Sequence, residues 1–164
     1  MSTRTAVNKA KPTDGGPRPI FCYGTLMHPL IYLKVVGKSE MPKREAAILK
    51  RFRRRKVLHQ AYPAIASGDA DDQVEGYLVH VQAEDIALLD LFESDDYERI
   101  TVTVHLCSST ESDASQETDV YVWRKSKSRL SENEDWSYEK FVETKLKEWT
   151  RDIDCFPHHP EEQP

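Results

Sequence analysis

Ile20-Phe21-Cys22-Tyr23-Gly24-Thr25-Leu26 is the stretch on which the reading of this chain turns. Ile20, Phe21 and Cys22 suit a pleated, half-buried surface, so a buried strand is expected. Gly24 breaks it, because a residue without a Cβ allows backbone angles and close approaches that a side chain would block. A strand ending in Gly24-Thr25 leaves backbone N–H groups and a hydroxyl at its tip. Such a tip can hold an anionic or carbonyl group of a small ligand. Tyr23-Gly24-Thr25 alone equally describes an ordinary strand followed by a turn.

The 164 residues fit one domain with a sizeable core. A net charge of −5 argues against a general nucleic-acid binder. No apolar run is long enough to span a bilayer, and the N-terminus has no apolar signal core, so a soluble cytoplasmic protein is expected. Cys22, Cys107 and Cys155 are odd in number and far apart, and His158-His159 stands isolated. They fit neither a disulfide framework nor a zinc pattern, so reduced thiols and no metal site are expected.

Residues 1–18 are polar and rich in Lys, Thr, Gly and Pro, and read as a disordered arm. Pro29 to Val36 suggests a helical turn or two, and His28 beside the loop reads either as a proton donor or as a structural histidine. Between residues 43 and 60, Lys43, Arg44, Lys50, Arg51, Arg53, Arg54, Arg55 and Lys56 give eight positive charges against Glu45 alone. With Ile48, Leu49, Phe52, Val57 and Leu58 they suggest strands with a basic outer face. That face could contact phosphate or nucleic acid, act as a localisation signal, attract an anionic substrate, or keep a solvated sheet edge soluble. No aromatics are interleaved to stack bases, which weakens the nucleic-acid version.

Ala61-Tyr62-Pro63-Ala64-Ile65 should be extended, Ser67 to Asp72 is a polar turn, and Val74 to Val81, apolar on both faces, reads as a central strand. Glu84 to Phe92 has helical spacing, which puts Glu93 at the helix's far end. There the macrodipole and the nearby Asp90, Asp95, Asp96 and Glu98 should raise its pKa, as a general base for an amine proton requires. An exposed acid at a helix end is the plainer reading. Ile100 to Leu106 alternates as a strand, Ser108 to Asp119 reads as a mobile loop, and Val120 to Arg124 resumes as a strand. Ser131 and Glu134 have capping-box spacing, so a helix should follow, with Tyr138, Val142, Leu146 and Trp149 packed as core. Residues 151–164 read as a disordered tail. The order of elements predicts an α+β domain over residues 19–150 with a mainly antiparallel sheet.

Leu88-Leu89-Asp90-Leu91-Phe92-Glu93-Ser94-Asp95-Asp96-Tyr97-Glu98-Arg99 sharpens this. Together with Tyr23-Gly24-Thr25-Leu26, Tyr62-Pro63-Ala64, Val74-Glu75-Gly76 and Tyr121-Val122-Trp123, in that order along residues 19–149, it resembles the γ-glutamylcyclotransferase-like family, in its avirulence-induced-gene branch. The resemblance implies a small, mixed, mainly antiparallel β-barrel with flanking helices. It implies an acyl transfer within the substrate, in which the α-amine of a γ-glutamyl amine or amide attacks its own γ-carbonyl and releases 5-oxoproline. Glu93 matches the family's catalytic glutamate. Tyr23, Gly24, Thr25 and Leu26 would cradle the substrate, and Tyr97 and Tyr121 would help orient it. Because the nucleophile belongs to the substrate, no cofactor and no metal are implied. The partner would be a small γ-glutamyl compound, not nucleic acid or a membrane.

Two departures stand out. Ser94 follows the glutamate where the family often has glycine. The loop is Tyr-Gly-Thr-Leu rather than the Tyr-Gly-Ser-Asn of glutathione-metabolising members, which points to another γ-glutamyl amine or an ε-(γ-glutamyl)-lysine-like compound. The rival readings are a catalytically silent small-molecule-binding module of the same fold, and a nucleic-acid-associated protein working through residues 50–56.

Overall fold

Strand β2 (Arg18–Cys22) is apolar on both faces because each face meets a core. Phe21 points inward with Leu49, Leu78, Val102, Val104 and Val120. Ile20 and Cys22 point outward with Ile31, Val35, Val79 and Leu89. This is the two-sided burial expected of a strand flanked by partners and covered by helices. The computed structural model describes residues 8–9, 18–107 and 114–152.

Around β2 run β1 (Asn8–Lys9), β3 (Arg44–Lys50), β4 (Phe52–Lys56), β5 (Pro63–Ser67), β6 (Gln73–Val81), β7 (Tyr97–Leu106) and β8 (Ser115–Trp123). The helices are α1 (Pro29–Val36), α2 (Ile86–Glu93), α3 (Tyr138–Thr144) and α4 (Leu146–Asp152). β2 pairs antiparallel with β6, β6 with β3, β3 with β7, and β7 with β8. β8 then returns to β2 in parallel at Ile20↔Asp119, closing a barrel of five strands. The mixed, mainly antiparallel barrel with flanking helices is the architecture expected from the sequence. β4 and β5 form a separate hairpin.

Local chemistry sets the helix ends. Pro29 occupies the first turn of α1, where its missing N–H is no loss. His28 Nδ1 accepts the Leu30 N–H at 3.1 Å, and Gly37 at φ 69 ends the helix. Of the two readings of His28, the structure gives it the structural one. Among the described residues, no helix is long and apolar enough to cross a membrane.

Several expectations need correction. Within the stretch read as an arm, Asn8 and Lys9 pair with Thr101 and Ile100 of β7, and Arg18 already belongs to β2. Residues 1–7, 10–17 and 153–164 lie outside the described residues. The stretch read as a loop from Ser108 is strand from Ser115 onward, paired residue by residue with β7. Ser131 Oγ does accept the Glu134 N–H, but no helix starts there. The cap is Ser137, whose hydroxyl accepts from Lys140 at 3.1 Å, and the chain breaks at Lys145 between α3 and α4.

The basic run is strand on either side of a turn at Arg51, which is exposed, and three of its arginines reach into the structure. Arg54 donates to the Tyr23 carbonyl at 2.9 Å, Arg44 to the Met27 carbonyl at 2.8 Å, and Arg55 to the Ser131 carbonyl at 2.6 Å. These guanidinium groups anchor loops rather than coat a solvated face.

The closing seam carries a buried charge. The Asp119 side chain, 3% exposed, takes Arg18 Nε and Arg99 Nη1 each at 2.8 Å, and the Thr101 hydroxyl at 3.0 Å. Removing the carboxylate would leave Arg99 to Asp90 alone and take from Arg18 its charged partner across the seam. Asp119→Ala should therefore lower the unfolding free energy by about 3 kcal/mol, read as a lowered urea midpoint. A parent-like midpoint would show that the seam is held by the strands alone.

Candidate functional site

The strand tip is built by close packing. After Tyr23 the chain folds into a 3-10 turn over Thr25–Met27, closed by the Met27 N–H on the Gly24 carbonyl at 3.0 Å. The amides of the turn's first residues have no acceptor within the turn itself. Gly24 sits at φ −128, outside the left-handed region that favours glycine. What requires glycine is space, since a Cβ there would lie 2.9 Å from Cγ of Pro63. The Tyr23 hydroxyl donates to the Tyr121 carbonyl at 2.6 Å, which pins the loop to β8.

From the other side, α2 delivers Glu93. The helix buries Ile86 and Leu89 and ends on Ser94, whose N–H returns to the Asp90 carbonyl. Ser94 has φ 67 and ψ −172, a conformation that is essentially glycine's own. The departure seen in the sequence thus leaves the turn intact but strained. β7 follows at once, and the Tyr97 hydroxyl donates to the Pro63 carbonyl at 2.7 Å.

Between these elements lies a cavity of about 440 Å³. Tyr23, Gly24, Thr25, Leu26, Glu93, Tyr97 and Tyr121 all line it, so the structure brings every sequence-nominated site residue together. Tyr62, Pro63, Leu91, Phe92, Asp96, Glu148 and Trp149 line it as well. His28 does not. Trp149 was read as core. It does pack beside Tyr62, Phe92 and Phe141, yet it also faces the cavity.

Glu93 as a residue is only half-buried, but its carboxyl is enclosed by the cavity. Burial, with the charge of Asp90 second, raises its pKa from 4.5 to about 8. The direction matches the sequence expectation while the main cause does not: desolvation leads, and the acid that acts is Asp90, not Asp95, Asp96 or Glu98. Asp90 is itself fixed by Arg99, through Nε at 2.9 Å and Nη2 at 3.2 Å, and by the Tyr121 hydroxyl at 2.7 Å. Burial also pushes the phenols of Tyr23, Tyr97 and Tyr121 up, so all three stay neutral. Their hydroxyl protons are engaged by protein acceptors. They wall the cavity with rings, while Glu93 can change charge near neutral pH. Among the described residues, no three His, Cys, Asp or Glu side chains converge to hold a metal ion.

Sequence reasoning missed Asp90, Arg99 and Asp119 as a network. Their alignment depends on pairing β7 with β8, which places Arg99 opposite Tyr121 and Thr101 opposite Asp119. The strain at Ser94 gives a direct check. Ser94→Gly should raise stability by about 1 kcal/mol, seen as a higher thermal midpoint. An unchanged or lowered midpoint would show that the Ser94 side chain compensates for its backbone.

Comparison with known proteins agrees with this geometry. The Arabidopsis thaliana protein AIG2 C is 28% identical over 148 residues, covering 85% of this chain and 87% of that protein. AIG2-like protein D of the same plant is 32% identical over 106 residues, covering 65% and 67%. Among solved structures, an Arabidopsis thaliana protein studied in solution superposes with a TM-score of 0.61 at 20% identity, over 94% of this chain and 99% of that one. A yeast γ-glutamyl cyclotransferase specific to glutathione superposes with a TM-score of 0.56 at 16% identity, over 73% and 74%. These superpositions establish a shared fold. The family described as gamma-glutamyl cyclotransferase, AIG2-like, matches residues 20–138, and the chain belongs to that family.

Proposed function

We propose that the protein is a γ-glutamylcyclotransferase that releases 5-oxoproline from a γ-glutamyl amine or amide. The γ-glutamyl group lies against the loop from Tyr23 to Leu26. Glu93 takes a proton from the substrate's α-ammonium, and the freed amine attacks the γ-carbonyl. A new C–N bond closes the five-membered ring, the original C–N bond breaks as the departing amine takes the proton from Glu93, and the ring nitrogen gives up its second proton to Glu93, which passes it on to the departing amine so that the amine leaves as its ammonium. The observation that carries this reading is the enclosure of Glu93 in the same cavity as the strand-tip loop, with its pKa raised to about 8. A carboxylate of that basicity is well matched to an amine proton.

Two outcomes are expected. Glu93→Gln keeps the shape but removes the basic oxygen, so turnover of γ-glutamyl compounds should fall on the order of a hundredfold to ten-thousandfold. Folding should survive. A carboxyl whose folded pKa is raised loses stability as pH climbs from 4.5 towards about 8, and the neutral amide escapes that loss. For the parent, kcat/KM should rise with pH through about 8, because the base must be ionised. Parent-like turnover by the folded variant would remove Glu93 from the mechanism. Binding without turnover by the parent would assign the cavity to a silent binding module.

Gly24→Ala tests the loop. Its methyl would press on the Pro63 ring and displace the strand tip, so activity should fall at least tenfold with a smaller effect on stability. Normal turnover would show that the loop does not hold the reacting group.

A further inference from the structure

Asp90 lies one helical turn before Glu93 on α2, where residues at that spacing are neighbours. It holds the turn twice. Its carbonyl accepts the Ser94 N–H and ends the helix, and its carboxylate is fixed from outside α2. Arg99 of β7 grips that carboxylate through Nε at 2.9 Å and Nη2 at 3.2 Å, and the Tyr121 hydroxyl of β8 donates to it at 2.7 Å. Neither Asp90 nor Arg99 lines the cavity.

The turn needs such a hold. Ser94 sits at φ 67 and ψ −172, and a residue with a side chain keeps that conformation only where its surroundings over-determine it. Freed of the clamp, the chain after Glu93 would relax and carry the carboxyl out of line. The Asp90 side chain is 41% exposed against 19% for Arg99, so the guanidinium rather than burial keeps it in place.

Asp90 is also the charged group that acts on Glu93. The other titratable groups around Glu93 include Cys22 and Tyr23 at the strand tip, Tyr62, Tyr97 of β7 and Tyr121 of β8, all held neutral. Two further acids, Asp96 after α2 and Glu148 of α4, line the same cavity. Arginines stand behind the neutral groups: Arg44 acts on Cys22, Arg54 on Tyr23, Arg129 on Tyr62 and Arg99 on Tyr121. Among the described residues, Arg99 is the one of these four that bonds Asp90. It is shared with Asp119 at 2.8 Å, so it offsets only part of the Asp90 charge.

Resting on the cyclisation reading above, we infer that Asp90 and Arg99 are positioning residues for Glu93: held outside the cavity by Arg99 and the Tyr121 hydroxyl, Asp90 fixes both the turn that aims the Glu93 carboxyl and the charge which that carboxyl faces.

Asp90→Asn keeps the shape and an oxygen for the Tyr121 hydroxyl but removes the charge and loosens the clamp. The pH midpoint of kcat/KM should fall by about one pH unit, because a like charge no longer opposes ionisation of Glu93. At the plateau kcat should fall about tenfold with KM little changed, since the loop from Tyr23 to Leu26 is untouched. Arg99→Gln should move the midpoint upward, because Asp90 then faces Glu93 without its counter-charge. Added to Asp90→Asn, Arg99→Gln should move it no further, because Arg99 acts through Asp90. Residues that only held the fold would lower kcat and leave the midpoint in place. An unmoved midpoint in Asp90→Asn, or shifts of the same sign in the two single variants, would overturn the inference. Asp90→Asn leaves Arg18, Arg99 and Asp119 paired at the seam, so it decides by itself where Arg99→Gln does not fold. Carboxyl carbon NMR of isotopically labelled protein follows the ionisation of Glu93 without turnover, its signal identified by its loss in Glu93→Gln. The same opposite shifts there support the inference, and their absence overturns it. Absence of product from the parent with every γ-glutamyl compound overturns the cyclisation reading, and the NMR midpoints still decide what Asp90 and Arg99 do to Glu93.

Discussion

A buried carboxylate held between two arginines is the contact on which the rest of this structure depends. The parallel pairing of β2 with β8 is thin, a single register at Ile20↔Asp119, and backbone hydrogen bonds alone give it little hold. Asp119 compensates by binding Arg18 of β2 and Arg99 of β7 at the same point. Arg99 also reaches across to Asp90 on α2, and Asp90 receives the Tyr121 hydroxyl. The network that shuts the barrel therefore also fixes the last turn of α2, the turn that carries Glu93 into the cavity.

That coupling explains the chemistry of the pocket. Three buried tyrosines are kept neutral and have their protons engaged, so they shape the space without competing for a proton. Glu93 is left to titrate near neutral pH, with its charge opposed by burial and by Asp90. Under the proposed cyclisation, a site that moves a proton between two nitrogens of one substrate needs little else from the protein, provided the substrate is held in the cyclising conformation.

Much of this was legible in the sequence, for identifiable reasons. β2, β6 and α2 carry periodicity that local physics fixes, and the YGTL tip and Glu93 fall at the ends of those elements. Asp119 was misread because an acid among serines and acids looks like loop, and its partner Arg18 lies 101 residues away. The arginines of β4 were read as a surface because their acceptors are carbonyls of remote segments, at Tyr23, Glu132 and Ser131. The rise in the pKa of Glu93 was foreseen, but its main cause, enclosure by β2, β7 and α4, exists only once the chain is folded. Trp149 was assigned to core because helical spacing cannot distinguish a ring that packs from one that packs and also faces a cavity.

The order of strands around the barrel also constrains how the protein is made. β2 is made before one of its neighbours, β8, which ends at Trp123, roughly a hundred residues later. Contacts of such sequence separation form slowly, because a long loop must close before the contact is rewarded. Until β8 has left the ribosome, β2 has an open edge and its apolar residues face an unfinished barrel. The nascent chain thus exposes a strand of the kind chaperones recognise, and the cavity cannot exist before nearly the whole domain has been translated.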